Sequence, residues 1–173
     1  MDSLFDEWKT SIPKYSVKFK GLFSSLANKY TASSEKVVSL GKHFELQYEL
    51  YTYAFFLGLY SNTRIGFGEG EKKTDFSNPI QTWGSKKTTR EDYTYIREYM
   101  FMAVVAKSDV DFLSLDKGEV ESKVVVNQLI TVLEEYVYGG LTIISEKIED
   151  GINPFLTNDS FLQLLLKSGF DKS

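Results

Sequence analysis

The most apolar stretch of the chain, residues 42–61, reads KHFELQYELYTYAFFLGLYS. At helical spacing its apolar side chains form two adjacent stripes: Phe44, Tyr48, Tyr51, Phe55 and Leu59, and Leu46, Leu50, Tyr53, Leu57 and Tyr60. A thin polar seam through Glu45, Glu49 and Thr52 separates them. Because a helix that is apolar on almost every side is normally buried, we predict a central core helix here, with the polar seam turned towards water where no partner is present. An N-cap at Ser33 or Ser34 would begin this helix.

Five other segments show the apolar spacing of helices: residues 3–9, 14–30, 91–107, 119–149 and 159–169. The clearest is 119–149, where Val126, Leu133 and Leu141 belong to one continuous apolar face. These elements predict an all-α fold, a single-domain bundle of about five to six helices across residues 1–173, around the aromatic central helix.

Two adjacent glycines, Gly139 and Gly140, fall inside the 119–149 pattern. A glycine inside a helix costs about 1 kcal/mol relative to alanine. The pair therefore indicates either a kink or the close approach of another backbone. Gly58, in the 42–61 helix, is a candidate for the opposite side of such a contact.

Residues 62–89 have no sustained period and are rich in Gly, Ser, Thr, Asn and Lys, which predicts a long irregular loop. Two interpretations stay open. Basic and aromatic side chains could together bind a phosphate backbone and stack on bases, or Phe76 and Trp83 could anchor the segment on its own domain. Under the first interpretation, with the basic face of residues 14–30 included, the nucleic-acid or partner contact comprises Lys14, Lys18, Lys20, Arg64, Lys72, Lys73, Trp83, Lys86, Lys87 and Arg90.

The charge of the chain is unevenly distributed. The net charge is −4, which argues against a surface built entirely for nucleic acid. Residues 1–90 carry 13 Lys and Arg against 9 Asp and Glu, whereas residues 91–173 carry 7 against 15. Either the two halves pack on one another, or a basic face is directed at a partner.

Several chemistries are excluded by composition. The chain has no cysteine and a single histidine, His43, so disulfides, thiolate nucleophiles, cysteine-based metal sites and two-histidine metal sites within one chain are ruled out. The acidic run at 109–119 departs from a calcium loop at Leu113 and Ser114, and GFGEGEKK at 66–73 lacks the GK[ST] of a P-loop. We expect no metal and no cofactor, and favour a protein without catalytic activity.

These observations leave three functional hypotheses. The first is a non-catalytic helical interaction or assembly subunit, self-associating or part of a larger complex. The second is a nucleic-acid-binding accessory protein, for example of a bacterial DNA-modification or phage-defence system, although no residue specifies such a role. The third is a small-molecule binder or enzyme with an aromatic pocket that includes His43, Glu45, Glu49 and Tyr53. The acidic N-terminus and the absence of a long apolar segment predict a cytoplasmic protein that does not enter a membrane.

Overall fold

The protein is predominantly helical. A computed structural model describes residues 3–27, 44–76, 78–84, 92–151 and 159–170, of which 66% are helical. The prediction of an all-α fold is thus confirmed, and none of the helices in these ranges is long and apolar enough to cross a membrane. The helices are α1 (Leu4–Lys9), α2 (Lys20–Leu26), α3 (Gln47–Tyr60), α4 (Thr94–Ala106), α5 (Phe112–Asp116), α6 (Ser122–Asp150) and α7 (Ser160–Phe170). Two short strands, β1 (Lys14–Ser16) and β2 (Lys73–Asp75), pair with each other.

Internal contacts divide the chain into two compact units. The first unit comprises Met1–Lys14 and Thr74–Glu134, and the second comprises Tyr15–Lys73 and Glu135–Ser173. Each unit therefore takes sequence from both the basic and the acidic half of the chain, so the charge asymmetry along the sequence does not correspond to these units. The single domain across residues 1–173 stays a prediction.

In the first unit, α1 packs against α4 through aromatic rings. The helix begins at a capping box, in which Ser3 and Asp6 each accept a hydrogen bond from the other's backbone N–H, both at 3.2 Å. Trp8 is fully buried, and its ring centroid lies 5.4 Å from that of Phe101 in α4. The short helix predicted over residues 3–9 is confirmed, and its tryptophan packs it against α4.

In the second unit, α3 and the C-terminal part of α6 touch backbone to backbone. A β-carbon added to Gly58 would overlap the carbonyl group of Tyr136, and one added to Gly140 would overlap that of Ala54. Only hydrogen fits at these two positions, so the predicted close approach of Gly58 to the glycine pair of α6 is confirmed.

Gly139 makes room for a different neighbour, the segment that follows α3. The Thr63 N–H donates to the Gly58 carbonyl at 2.8 Å, and the Ile65 N–H donates to the Glu135 carbonyl at 3.1 Å. The Thr63 carbonyl then occupies the place that a side chain at position 139 would need. The chain leaving α3 therefore lies directly on the backbone of α6.

The helix predicted over residues 14–30 begins at Lys20 instead. Residues before it form β1 and a 3-10 turn, Val17–Phe19. The Val17 N–H donates to the Lys72 carbonyl at 3.0 Å. Pairing with a distant strand thus replaces the local helical pattern, and the predicted helical face through Lys14, Lys18 and Lys20 does not exist.

The 42–61 helix also begins later than predicted, at Gln47. The Glu49 carboxylate accepts the N–H groups of Glu45 at 2.8 Å and Leu46 at 3.2 Å, and a carboxylate so placed stabilises a helix start. Residues 44–46 precede the helix without being helical, so it does not run unbroken from an N-cap at Ser33 or Ser34. Those two serines and residues 42–43 lie outside the described residues.

The polar seam of α3 does not face water as a whole. Glu45 is exposed and Glu49 is half-buried, but Thr52 is 5% exposed and its hydroxyl has no hydrogen-bond partner. The prediction that Thr52 faces water is therefore wrong. Packing covers Thr52 because burying one hydroxyl costs little free energy compared with the gain from burying the apolar area of its neighbours.

Within the segment predicted as a loop, the described residues 62–76 and 78–84 are irregular but contain β2 and a 3-10 turn, Ile80–Thr82. Phe76 and Trp83 are buried, with ring centroids 5.4 Å apart. The Trp83 indole donates to the Asn78 carbonyl at 3.1 Å. These contacts agree with the interpretation in which Phe76 and Trp83 anchor the segment within its own unit.

Candidate functional site

One side of α4 is fixed by contacts inside the first unit. Met100 and Val104 are fully buried. Arg97 donates to the backbone carbonyls of Gln81, at 3.1 Å, and Trp83, and burial lowers the pKa of its guanidinium. The charge of Arg97 is thus directed inwards, and the helix cannot rotate without losing these contacts.

The opposite side of α4 exposes a row of apolar residues. Tyr95, Tyr99 and Met102 are 70%, 59% and 54% exposed, and Ala106 is exposed beyond them. Steps of four, three and four residues place all of them on one helical face, with the spacing of a coiled-coil seam. We call these four residues the α4 stripe. Isolated exposed apolar side chains are ordinary, whereas a contiguous row is less common on a protein surface and makes this face the candidate site.

The short helix α5 exposes two more apolar side chains of the first unit. Phe112 is 38% exposed and Leu113 is 61% exposed. Asp111 caps this helix by accepting the N–H groups of Leu113 at 3.0 Å and Ser114 at 3.1 Å, and these bonds, the one from Ser114 foremost, lower the pKa of its carboxyl. Part of the acidic run that resembled a cation loop is therefore a helix start.

The three N-terminal lysines of the predicted contact surface are found in three different elements. Lys14 belongs to β1, with its ammonium 3.8 Å from the Asp75 carboxylate. Lys18 lies in the 3-10 turn and donates to the Tyr138 hydroxyl. Lys20 is the exposed first residue of α2. Each lysine therefore has a separate environment.

The basic residues of the 62–73 segment are partly neutralised. Arg64 forms an ion pair with Glu135, with 2.6 Å between Nε and Oε2. The Lys73 ammonium lies 4.0 Å from the centre of the Phe67 ring, a cation–π contact. Lys72 is exposed. A nucleic-acid role for these three residues stays a prediction.

Trp83, assigned to the same predicted surface, is 1% exposed. Its ring is therefore unavailable for stacking on a base while the segment keeps this conformation. The remaining members, Lys86, Lys87 and Arg90, lie outside the described residues. The predicted contact surface as a whole stays a prediction.

The residues of the predicted aromatic pocket take part in the folding of the second unit. Glu49 caps α3, and Glu45 supplies one of the N–H groups that it binds. The Tyr53 hydroxyl donates to the Phe161 carbonyl of α7 at 2.6 Å, and burial raises the pKa of that phenol. His43 lies outside the described residues.

A hydrogen-bonded group that the sequence did not predict surrounds Glu71 in the second unit. The Ser16 hydroxyl donates to Glu71 Oε1 at 2.5 Å, and the Tyr138 hydroxyl lies 3.2 Å from both carboxylate oxygens. Lys18 in turn donates to the Tyr138 hydroxyl. We call Ser16, Lys18, Glu71 and Tyr138 the Glu71 cluster. Because these residues bind one another, the cluster joins the start of the second unit, the 62–73 segment and α6.

We expect Glu71→Gln to lower the free energy of unfolding by about 1 kcal/mol at neutral pH, since a charged acceptor is lost. The hydrogen bond from Ser16 is the main cause that lowers the pKa of the Glu71 carboxyl. The stabilisation is therefore complete above the ordinary glutamate pKa and is lost as the pH falls through the lowered value. Urea unfolding of both proteins at about pH 7 and about pH 3 should show the difference shrinking in acid.

Glu69→Gln is the matched control, because Glu69 is exposed in the same segment. It should change stability by less than about 0.5 kcal/mol at either pH. An undiminished effect of Glu71→Gln in acid would contradict a role for the charge.

The spacing of the α4 stripe is visible in the sequence, but periodicity alone does not show whether these residues are exposed or part of the core. Positions 95, 99, 102 and 106 follow a seam spacing, yet α4 is apolar on most sides, so the covered and uncovered faces look alike. The Glu71 cluster had no signal of this kind, since Lys18 and Tyr138 are 120 positions apart.

Within the described ranges, no three His, Asp or Glu side chains come together in an arrangement that could hold a metal ion. Comparison with known proteins adds no relative: no family model, curated protein or solved structure matches this chain.

Proposed function

We propose that this protein is a non-catalytic interaction or assembly subunit that self-associates through the α4 stripe. The observation that supports the proposal is the exposure of Tyr95, Tyr99 and Met102 on one face of a helix whose other face is fixed. Fully burying one large apolar side chain contributes about 1.5–3 kcal/mol, so covering this row has a substantial driving force.

The composition of the stripe favours a protein partner over nucleic acid. Its four side chains carry no charge, whereas phosphate binding depends on lysine and arginine. Tyrosine and methionine are enriched where protein surfaces meet, because they bring large contact areas. The hypothesis of an interaction subunit therefore has a specific surface.

We also propose that the second unit is a small helical bundle around α3, as the predicted aromatic central helix requires. Helix α3 packs against both α2 and α7. Its glycine contact with α6 adds a third neighbour. Tyr51, Ala54, Phe55 and Leu57 of α3 are fully buried, which supports a core position for this helix.

Self-association can be tested with Met102→Glu. We expect the apparent mass of the wild-type protein to rise with concentration in size-exclusion chromatography with light scattering, at low and at high salt, because apolar contacts are not screened. A glutamate at the centre of the stripe would have to be desolvated in the assembly, so Met102→Glu should weaken association at least about tenfold, or ~1.4 kcal/mol.

Gln128→Glu provides the control, since it adds the same charge at another exposed position of the first unit. Its association should match that of the wild-type protein. A wild-type protein that is strictly monomeric at every concentration and salt would overturn the proposal.

A further inference from the structure

We infer that the partner of the α4 stripe is α4 of a second copy, packed antiparallel about a two-fold axis that passes between Tyr99 and Met102. This inference rests on the proposed function and specifies its geometry. Its first basis is the spacing: positions 95, 99, 102 and 106 fit the alternating positions of a coiled-coil seam, which another helix of the same period fills.

The second basis is the order of side-chain sizes along the stripe. An antiparallel pair about this axis places Tyr95 opposite Ala106 of the second copy, and Tyr99 opposite Met102 of the second copy. The first pairing sets a large side chain against a small one, and the second gives a favourable sulfur–aromatic contact. The stripe is thus complementary to itself, as a two-fold interface requires.

A parallel pair would be poorly matched. It would set Tyr95 against Tyr95 at one end and Ala106 against Ala106 at the other, forcing the helices apart at the first and leaving a gap at the second. The antiparallel arrangement equalises the separation along the seam and also opposes the two helix dipoles.

The charges beside the stripe are compatible with this pairing. Glu98 is exposed next to Tyr99. About the proposed axis it lies level with Ala103 of the second copy, so the two Glu98 positions are about 7.5 Å apart along the helices at 1.5 Å per residue. The pairing therefore does not bring the two Glu98 carboxylates level with each other.

The size of the surface sets the expected strength. Helix α4 has 13 residues, a length of about 20 Å. Stable interfaces bury about 1,200–2,000 Å² in total, and two helices of this length supply less. Phe112 and Leu113 of α5 extend the exposed apolar area of the first unit. We expect a dimer that dissociates on dilution.

A size exchange tests the pairing of positions 95 and 106. In sedimentation velocity, Ala106→Tyr should weaken the dimer at least about tenfold, because it sets tyrosine against Tyr95. The double variant Tyr95→Ala with Ala106→Tyr should recover an affinity within about threefold of the wild-type protein. In this variant the tyrosine at position 106 again lies opposite an alanine, now at position 95 of the second copy. Failure of the double variant to recover, with its helical circular dichroism intact, would overturn the antiparallel register.

The absence of native cysteine permits an independent test. An equimolar mixture of Tyr99→Cys and Met102→Cys, oxidised mildly, should form the mixed disulfide in clear excess over either homodisulfide, since disulfides need Cα atoms within about 7 Å. Gln128→Cys mixed with either variant is the control and should give only background cross-linking. Equal yields of all three products, or a dominant homodisulfide of Tyr99→Cys, would refute the register.

Self-association and the antiparallel register can be contradicted separately. A wild-type protein that associates but shows neither size-exchange recovery nor the mixed disulfide would contradict the antiparallel α4 pair while self-association stands. A wild-type protein that never associates would contradict both.

Discussion

Gly140→Ala is expected to destabilise the protein by about 3 kcal/mol or more, since overpacking a closed contact costs 1–3 kcal/mol and this one involves backbone. The new methyl group would overlap the Ala54 carbonyl oxygen and carbon. A flexible side chain could move aside, whereas a helical carbonyl cannot move without carrying its helix along. Chemical unfolding followed by circular dichroism measures the loss.

Gly21→Ala is the matched control for this substitution. Gly21 lies inside α2, and a β-carbon built there meets nothing within 4 Å. Alanine should therefore stabilise the protein by about 0.5–1 kcal/mol through its higher helix propensity. If the two variants had similar stability, the close contact between α3 and α6 would be in doubt.

Trp83→Ala is expected to lower the free energy of unfolding by about 3–5 kcal/mol, the usual cost of removing a buried tryptophan. The ring is 1% exposed and packs against Phe76, and its N–H binds the Asn78 carbonyl. The same substitution would leave stability almost unchanged if Trp83 were a surface ring that stacks on bases. Thermal and urea unfolding distinguish these outcomes directly.

Gln81→Ala controls for substitution in the same segment. Gln81 is exposed, and its backbone carbonyl, which accepts from Arg97, is retained in alanine. The expected change is within about 0.5 kcal/mol. A Trp83→Ala protein as stable as this control would contradict the anchoring role of the tryptophan.

The long helices could be predicted from the sequence because their apolar spacing persists over many turns. The pattern at residues 119–149 corresponds to α6, Ser122–Asp150. The glycine pair inside it was informative for the same reason, since an unfavourable residue in a strong helix needs a compensating contact. Apolar periodicity thus predicted α6, and the glycine pair predicted its backbone contact with α3.

Short elements could not be predicted in this way. Strands β1 and β2 have three residues each, too few to show alternation, and their pairing joins positions almost 60 residues apart. The late start of α3 has a local origin, because the Glu49 carboxylate accepts the N–H groups of Glu45 and Leu46 and so sets the first turn. Apolar spacing does not reveal a capping contact of this kind.

The exposed face of α4 could not be predicted from the sequence, because the helix is apolar on most sides. A helix that is apolar on most sides shows no boundary between the face covered by Phe5 and Trp8 and the face that stays open. The exposed fractions of the side chains in the folded protein distinguish the two faces. The helical face predicted for the basic residues was wrong for another reason. Lys14, Lys18 and Lys20 are close in sequence but belong to separate elements.

The backbone contact between α3 and α6 also has a consequence for motion within the second unit. Most helix pairs are separated by side chains, whose rotations allow the helices to slide past each other by small steps. At Gly58 and Gly140 no side chain intervenes, so sliding would drive carbonyl groups into the opposing backbone. We therefore expect α3 and the part of α6 that belongs to the second unit, residues 135–150, to move together, and slow amide hydrogen exchange to extend over both.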